Sequence, residues 1–319
     1  RHARAFEAWK LRFGRTYQPS EEGERFAAFK DNYDFVEAEN AKAHAYEFAL
    51  NEFAAMRPAD FSGQYGMTRS MAESGENRWS GCPAMSVHEA GRGLSLPDRV
   101  DWREHGAVSK VKNQGQCGSC WAFATTGALE GAWYLATDQT LLLSEQQLLD
   151  CARSNGCKGG SVEDAITYAG STGICSESSY PYEAKQSTCH ASVCRETLPK
   201  YAVTGCRRVP VGSDRLLMDA VAQQPVSIAI DADTSLQLYS GGVFTQACGD
   251  AINHGVLLVG YGTDAGLDYW LIKNSWGTGW GERGFFRMER GVPGLGECGI
   301  KSDPLYPVVD GSRAKPLDI

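Results

Sequence analysis

The sequence predicts an α+β chain in which a helical amino-terminal segment precedes a larger body with a helical half and a β-rich half. Three observations carry this. Residues 1–62 are rich in Ala, Glu, Phe and Arg at helical spacing, and Pro19 is the one proline before Met56. Beyond residue 95, helix-like stretches at 120–136 and 144–151 come before strand-like runs at 226–230, 255–260, 269–273 and 284–288, an order that suggests α+β with two sub-domains. The composition, 319 residues with 42% apolar and 22% charged, is globular and excludes disorder, collagen and coiled coil.

Each part has its own signature. The helix expected to open near Ser20 carries Glu21, Arg25, Phe29, Asn32, Val36 and Asn40 at steps of three and four, on one face built to pack. From about residue 62 to 95, Gly, Ser, Met, Glu and Arg run without period, which predicts an extended, protease-accessible linker. The expected organisation is therefore a helical segment 1–62, a linker 63–95, a body 96–310 and a loose tail 311–319.

Charge and cysteine content narrow the function. With 31 Lys and Arg against 39 Asp and Glu, the net charge of −8 offers no basic surface for nucleic acid. No apolar run approaches the roughly 18 residues of a membrane span. The 11 cysteines are an odd number, and all but Cys82 lie between Cys117 and Cys298. That distribution predicts disulfides plus one functional thiol, in the secretory pathway, a lysosome-like acidic vesicle or the extracellular space. Cys117 and Cys120 lack the second close pair that zinc needs, so no metal and no cofactor is expected.

The densest chemistry lies in N-Q-G-Q-C-G-S-C-W-A-F-A, residues 113–124, where a Gly-rich loop opens a helix. A thiol at that helix start, Cys120, sits against backbone amides and the positive end of the dipole, which favour thiolate. Gln114 and the Cys120 amide are candidate donors to an oxyanion. Cys117 and Cys120 also form a C-x-x-C, so a redox pair or a plain disulfide competes with a nucleophile at this point.

Q-G-Q-C-G-S-C-W-A-F resembles the active-site signature of the papain-like cysteine proteases. N-H-G-V-L-L-V-G-Y-G, with His254, and K-N-S-W-G-T-G-W-G, with Asn274, are similar to that family's His and Asn motifs. The Glu21 to Asn40 face resembles the interlocking propeptide motif of cathepsin L-like zymogens. The resemblance implies the two-domain papain-like fold, a helical left domain and a β-barrel-like right domain behind a helical inhibitory propeptide. The implied function is that of a cysteine endopeptidase zymogen acting on proteins and peptides, expected as a monomer inhibited by its own propeptide and activated by proteolytic removal of that propeptide. It implies a Cys120 thiolate paired with a His254 imidazolium, Asn274 orienting the ring, Trp276 shielding that contact and Gln114 in the oxyanion hole. It implies substrate contacts at Gly159 and Gly160, and a specificity pocket of Ser161, Val162, Ala229, Ile252 and Gly255 with Asp303 at its floor, where a carboxylate would favour Arg or Lys. It also implies the bridges Cys117–Cys157, Cys151–Cys189 and Cys248–Cys298. Cys175 with Cys194 is the expected fourth, and Cys82 can reach Cys206 only if the prosegment passes nearby. The family's second propeptide motif departs here, with Ala49 and Ala55 in place of Gly and Asp. That substitution puts acid-triggered release through the missing Asp in doubt. The competing reading is a silent storage or inhibitory relative of the same fold, and a thiol–disulfide oxidoreductase is the third.

Overall fold

The computed structural model describes residues 1–65, 82, 85–91, 95–232, 234–246 and 248–313. Its first elements form a helical hairpin, α1 (His2–Phe13) and α2 (Pro19–Asn40). Gly14 ends α1 in the left-handed conformation that suits glycine, and Pro19 starts α2 with Glu21 and Glu22 on its positive end. Phe6 and Trp9 of α1 pack on Phe29 of α2, with ring centroids 5.2 and 5.5 Å apart. The α2 face also latches the chain beyond it. Asn32 donates to the carbonyls of Ala54 and Met56, and Asn40 exchanges two hydrogen bonds with the Phe48 backbone.

The segment is not all helix. Tyr46–Phe48 forms β1, because its backbone pairs antiparallel with residues 239–242 far along the chain, and α3 (Pro58–Tyr65) comes next. A second correction concerns the linker. Met85–Val87 is a strand, β2, so 85–87 is not free extended chain. Residues 66–81, 83–84 and 92–94 of that linker, and 314–319 of the tail, lie outside the described residues.

In the body, β3 (Val100–Asp101) leads to α4 (Cys120–Thr137), α5 (Glu145–Cys151) and α6 (Val162–Thr172). Ser144 and Ser161 cap α5 and α6 by accepting from Gln147 and Asp164 amides. Next come β4 (Ile174–Cys175), β5 (Glu196–Leu198), β6 (Val203–Arg208), α7 (Asp214–Gln223), β7 (Val226–Ile230) and α8 (Thr234–Gln237). The chain ends in β8 (Tyr239–Phe244), β9 (His254–Asp264), β10 (Leu267–Lys273), β11 (Phe285–Glu289) and β12 (Leu305–Val309).

One ten-stranded sheet runs in the order β1-β8-β11-β10-β9-β7-β12-β6-β2, with β3 added on β9. Its two ends, β1 and β2, both come from the chain before residue 96. One buried cluster joins the β half to the amino-terminal aromatics, and another fills the helical half. Between them α4 lies close on β9. A Cβ on Gly127 would fall 2.8 Å from Leu257 Cδ2, so a larger residue there would push that side chain aside. The contact brings the start of α4 against the start of β9, which is where the reactive side chains sit. No helix among the described residues is long and apolar enough to cross a membrane.

Candidate active site

Cys120 is the first residue of α4 and fully buried, and it is the one cysteine left free. Five disulfides take the rest: Cys82–Cys206, Cys117–Cys157, Cys151–Cys189, Cys175–Cys194 and Cys248–Cys298. With Cys117 bound to Cys157, the C-x-x-C is not a redox pair. The Gly255 amide donates to the Cys120 sulfur at 3.3 Å.

His254 opens β9 and is fully buried. Its Nε2 lies 2.8 Å from Asn274 Oδ1, which also accepts from the Ser275 amide. Trp276 stacks on the imidazole at 4.7 Å and covers that contact, and Trp280 packs edge-on behind Trp276. Gln114 is held at both ends: Oε1 accepts from Ser275 Oγ at 2.6 Å, and Tyr182 donates to its backbone carbonyl. Its Nε2 donates to the Cys117 carbonyl at 2.9 Å and to the Tyr65 carbonyl at 3.1 Å. Thus a backbone carbonyl from the end of α3 sits on the amide expected as an oxyanion donor.

Burial sets the charges in this covered state. It pushes the Cys120 thiol up to about 11, outweighing the amides of Gly255, Trp121 and Cys120 itself. It also pulls His254 down to about 4, against Asn274 and the Tyr65 backbone. Both shifts run against the thiolate–imidazolium pair while the centre is covered.

The cover is built by residues 46–65. Asn51 donates to the Gln237 carbonyl at 2.7 Å and caps the Phe53 amide, while Gln237 Nε2 donates to the carbonyls of Phe53 and Met56. Phe61 meets Trp276 edge-on at 4.9 Å, and Phe53 and Tyr65 pack beside it. Ala55, where the propeptide motif has Asp, is buried among these residues.

The remaining sites fall in three groups. Gly159 has φ 122°, and a Cβ on Gly160 would lie 2.5 Å from the Trp121 ring, so the turn beside the thiol requires glycine. Ala229 and Gly255 face each other across β7 and β9, and Gly255 abuts Cys120. Ser161 and Val162 start α6, and Ile252 lies beside Gly299. Asp303 is not a free carboxylate: it pairs with Arg208, which also reaches Glu163 on α6 at 3.2 Å.

Sequence reasoning missed the supporting residues Tyr65, Gln237 and Ser275. It also missed the buried ions behind Asn274, where Lys112 pairs with Glu145 at 2.7 Å and Lys273, pulled down to about 8 by burial, donates to Ser109. Only Lys273 and Ser275 carried a signal, as the immediate neighbours of Asn274 in the motif.

The family described as "Papain family cysteine protease" matches residues 96–308, and "Cathepsin propeptide inhibitor domain (I29)" matches residues 6–61. The chain belongs to the papain family of cysteine proteases. This papain-family protease is 39% identical over 318 residues to fruit bromelain of Ananas comosus, covering 97% of this chain and 88% of the relative. Among solved structures it resembles the proform of the Amb a 11 cysteine protease, a major ragweed pollen allergen. That match has a TM-score of 0.88 at 37% identity and covers 97% and 95% of the two chains. Digestive procathepsin L 3 of Tenebrio molitor larval midgut matches with TM-score 0.84 at 39% identity, covering 97% and 99%. The papain-family chain is thus a cysteine endopeptidase in zymogen form, with its propeptide inhibitor domain in place.

Proposed function

We propose that Cys120 is the nucleophile of this endopeptidase and that residues 46–65 hold it silent by placing a peptide carbonyl where a substrate's would lie. The Tyr65 carbonyl on Gln114 Nε2, beside the buried thiol, is the observation that supports this.

Once uncovered, Cys120 gives its proton to His254 Nδ1, the ring nitrogen that Asn274 leaves free. The thiolate attacks the scissile carbonyl carbon, and the oxyanion accepts hydrogen bonds from Gln114 Nε2 and the Cys120 amide. His254 then protonates the amine as the C–N bond breaks and an acyl-enzyme remains. Water attacks the thioester, His254 takes its proton, and the C–S bond breaks to release the carboxylic acid and restore the thiolate. Gly159 and Gly160 pair with the substrate backbone as an added strand would.

The test is active-site labelling with an irreversible epoxide inhibitor of papain-like enzymes, before and after incubation at acid pH. Labelling of Cys120 only after loss of the cover is expected. No labelling in either state would support the silent relative instead. In the processed enzyme Gln114→Ala should lower kcat by about 10²- to 10³-fold, with epoxide labelling largely retained.

For specificity, Arg208 holds the Asp303 charge, so the pocket of Ser161, Val162, Ala229, Ile252 and Gly255 selects an aliphatic or aromatic side chain two residues before the scissile bond. Leu substrates should outrun Arg substrates, and Asp303→Ser should leave that ratio unchanged. A ratio that moves further against Arg would restore Asp303 as the recognition group. The five disulfides support folding in the secretory pathway, for an acidic vesicle or the extracellular space. Scattered single exposed apolar side chains such as Leu11, Leu135 and Val193 support a monomer.

A further inference from the structure

Neither matched domain covers residues 62–95, yet residues 82 and 85–91 are bound into the peptidase body. Cys82 is bonded to Cys206, 124 positions away, and both sulfur-bearing residues are buried in the helical half's cluster. Three residues on, β2 runs parallel to β6 with Met85 opposite Cys206, Ser86 opposite Arg207 and Val87 opposite Arg208. The His88 amide continues that pairing by donating to the Arg208 carbonyl at 2.8 Å. The His88 side chain is 2% exposed, with Nδ1 2.7 Å from Tyr306 Oη and Nε2 3.6 Å from Asp219, and Asp219 also accepts from the Gly91 amide. All of these partners lie in the peptidase region 96–308.

We propose that Cys82 and residues 85–91, with strand β2 among them, are a permanent part of the active protease, covalently anchored by Cys82–Cys206, and not part of the inhibitor that is discarded. The inference rests on the loss of the cover proposed above, brought about by proteolytic removal of the propeptide. Without the segment, β6 would become an open sheet edge, and Tyr306 and Asp219 would lose buried partners. The bond is shielded as well: thiol–disulfide exchange requires a thiolate to reach a sulfur, and Cys206 is fully buried with Cys82 at 8% exposure. The covalent link also dictates how the inhibitor can leave. A single cut before Leu96 leaves the whole prosegment attached through the disulfide, so release of residues 1–65 also requires a cut on the amino-terminal side of Cys82.

The experiment activates the full chain at acid pH, labels it with the epoxide, alkylates free thiols with iodoacetamide and measures intact mass before and after denaturing reduction with dithiothreitol. The expected epoxide-labelled enzyme carries a Cys82 peptide that leaves only on reduction, and its Cys206 resists alkylation until then. A Cys120-labelled enzyme that begins near Leu96 with Cys206 alkylated would overturn the proposal. Absence of any label on Cys120 is a different failure, that of the protease reading, and it removes the proposal with it. Cys82→Ser keeps the catalytic machinery and serves as the second variant. It should activate normally, yield no reducible adduct, and lower the thermal midpoint of the activated enzyme by about 5 °C or more. An unchanged midpoint would overturn the stabilising role of the anchor.

Discussion

Residues 46–65 and the stretch formed by Cys82 and residues 85–91 both add a strand to an end of the same sheet, but they hold it by different physics. The first stretch pairs β1 with β8 and lays Phe53, Phe61 and Tyr65 against Trp276, all through hydrogen bonds and apolar contact. The second adds three residues of β2 to β6, buries His88 and closes a disulfide. Strand addition is weak and reversible for so few residues, so what surrounds it decides permanence. Around β1 the additions are aromatic side chains that occupy the reactive centre and must leave. Around β2 they are a covalent bond and a buried imidazole that meets Tyr306 and Asp219.

If the first stretch is a detachable cover, loosening it should expose Cys120 without any cut. Phe61→Ala has the largest expected effect. Truncating a buried Phe costs about 3–5 kcal/mol, so epoxide labelling of Cys120 in the unprocessed chain should quicken by about 10²-fold or more. No acceleration would mean the cover does not depend on its aromatic contact.

Acid should loosen the same cover through the centre it hides. His254 is held down to about 4 while covered, and its ordinary value is 6.5. The uncovered state therefore binds the proton more tightly, and covering loses stability as pH falls from about 6.5 toward 4. Glu52 acts with the opposite sign. It lies near Arg15 at 3.4 Å, and burial raises its carboxyl, so covering favours its protonated form and is strengthened on acidification. In a Cys120→Ser chain, which cannot process itself, amide exchange protection over 46–65 should fall through this window. Adding His254→Ala should flatten the fall, and Glu52→Gln should steepen it. A profile unaffected by His254→Ala would place the acid response in other groups.

The smallest effect is expected at Asn51. Asn51→Ala removes its bonds to the Gln237 carbonyl and the Phe53 amide, about 1–2 kcal/mol, and should quicken labelling about 5- to 30-fold. Neither Phe61→Ala nor Asn51→Ala should disturb the mass of the retained Cys82 peptide with its strand β2, because the partners that hold it, Cys206, Arg208, Tyr306 and Asp219, are not those that hold residues 46–65. Loss of the strand in either variant would break the distinction between cover and fixture.

Much of the centre was legible because each reactive residue sits inside a short run that sets its own backbone. Cys120 comes after a Gly-rich loop at a helix start, and His254 and Asn274 fall at the start of one strand and just past the end of its neighbour. The α2 face was readable from period alone, and its Asn32 and Asn40 proved to be latches. By contrast β1 and β2 are three residues each, too short for a period-two pattern, and they exist only because β8 and β6 offer edges.

By itself, the sequence determined the chemistry: a thiol at a helix N-terminus, a histidine and asparagine in strand-flanked motifs, a helical prosegment and the cysteines available for bridging. Tertiary structure alone decided which groups meet. It brought the Tyr65 carbonyl onto Gln114 Nε2, Arg208 onto Asp303 and Cys82 onto Cys206. The physical reason is separation: these partners lie 49, 95 and 124 residues apart, and local propensity carries no information about which distant surface will bury a given side chain.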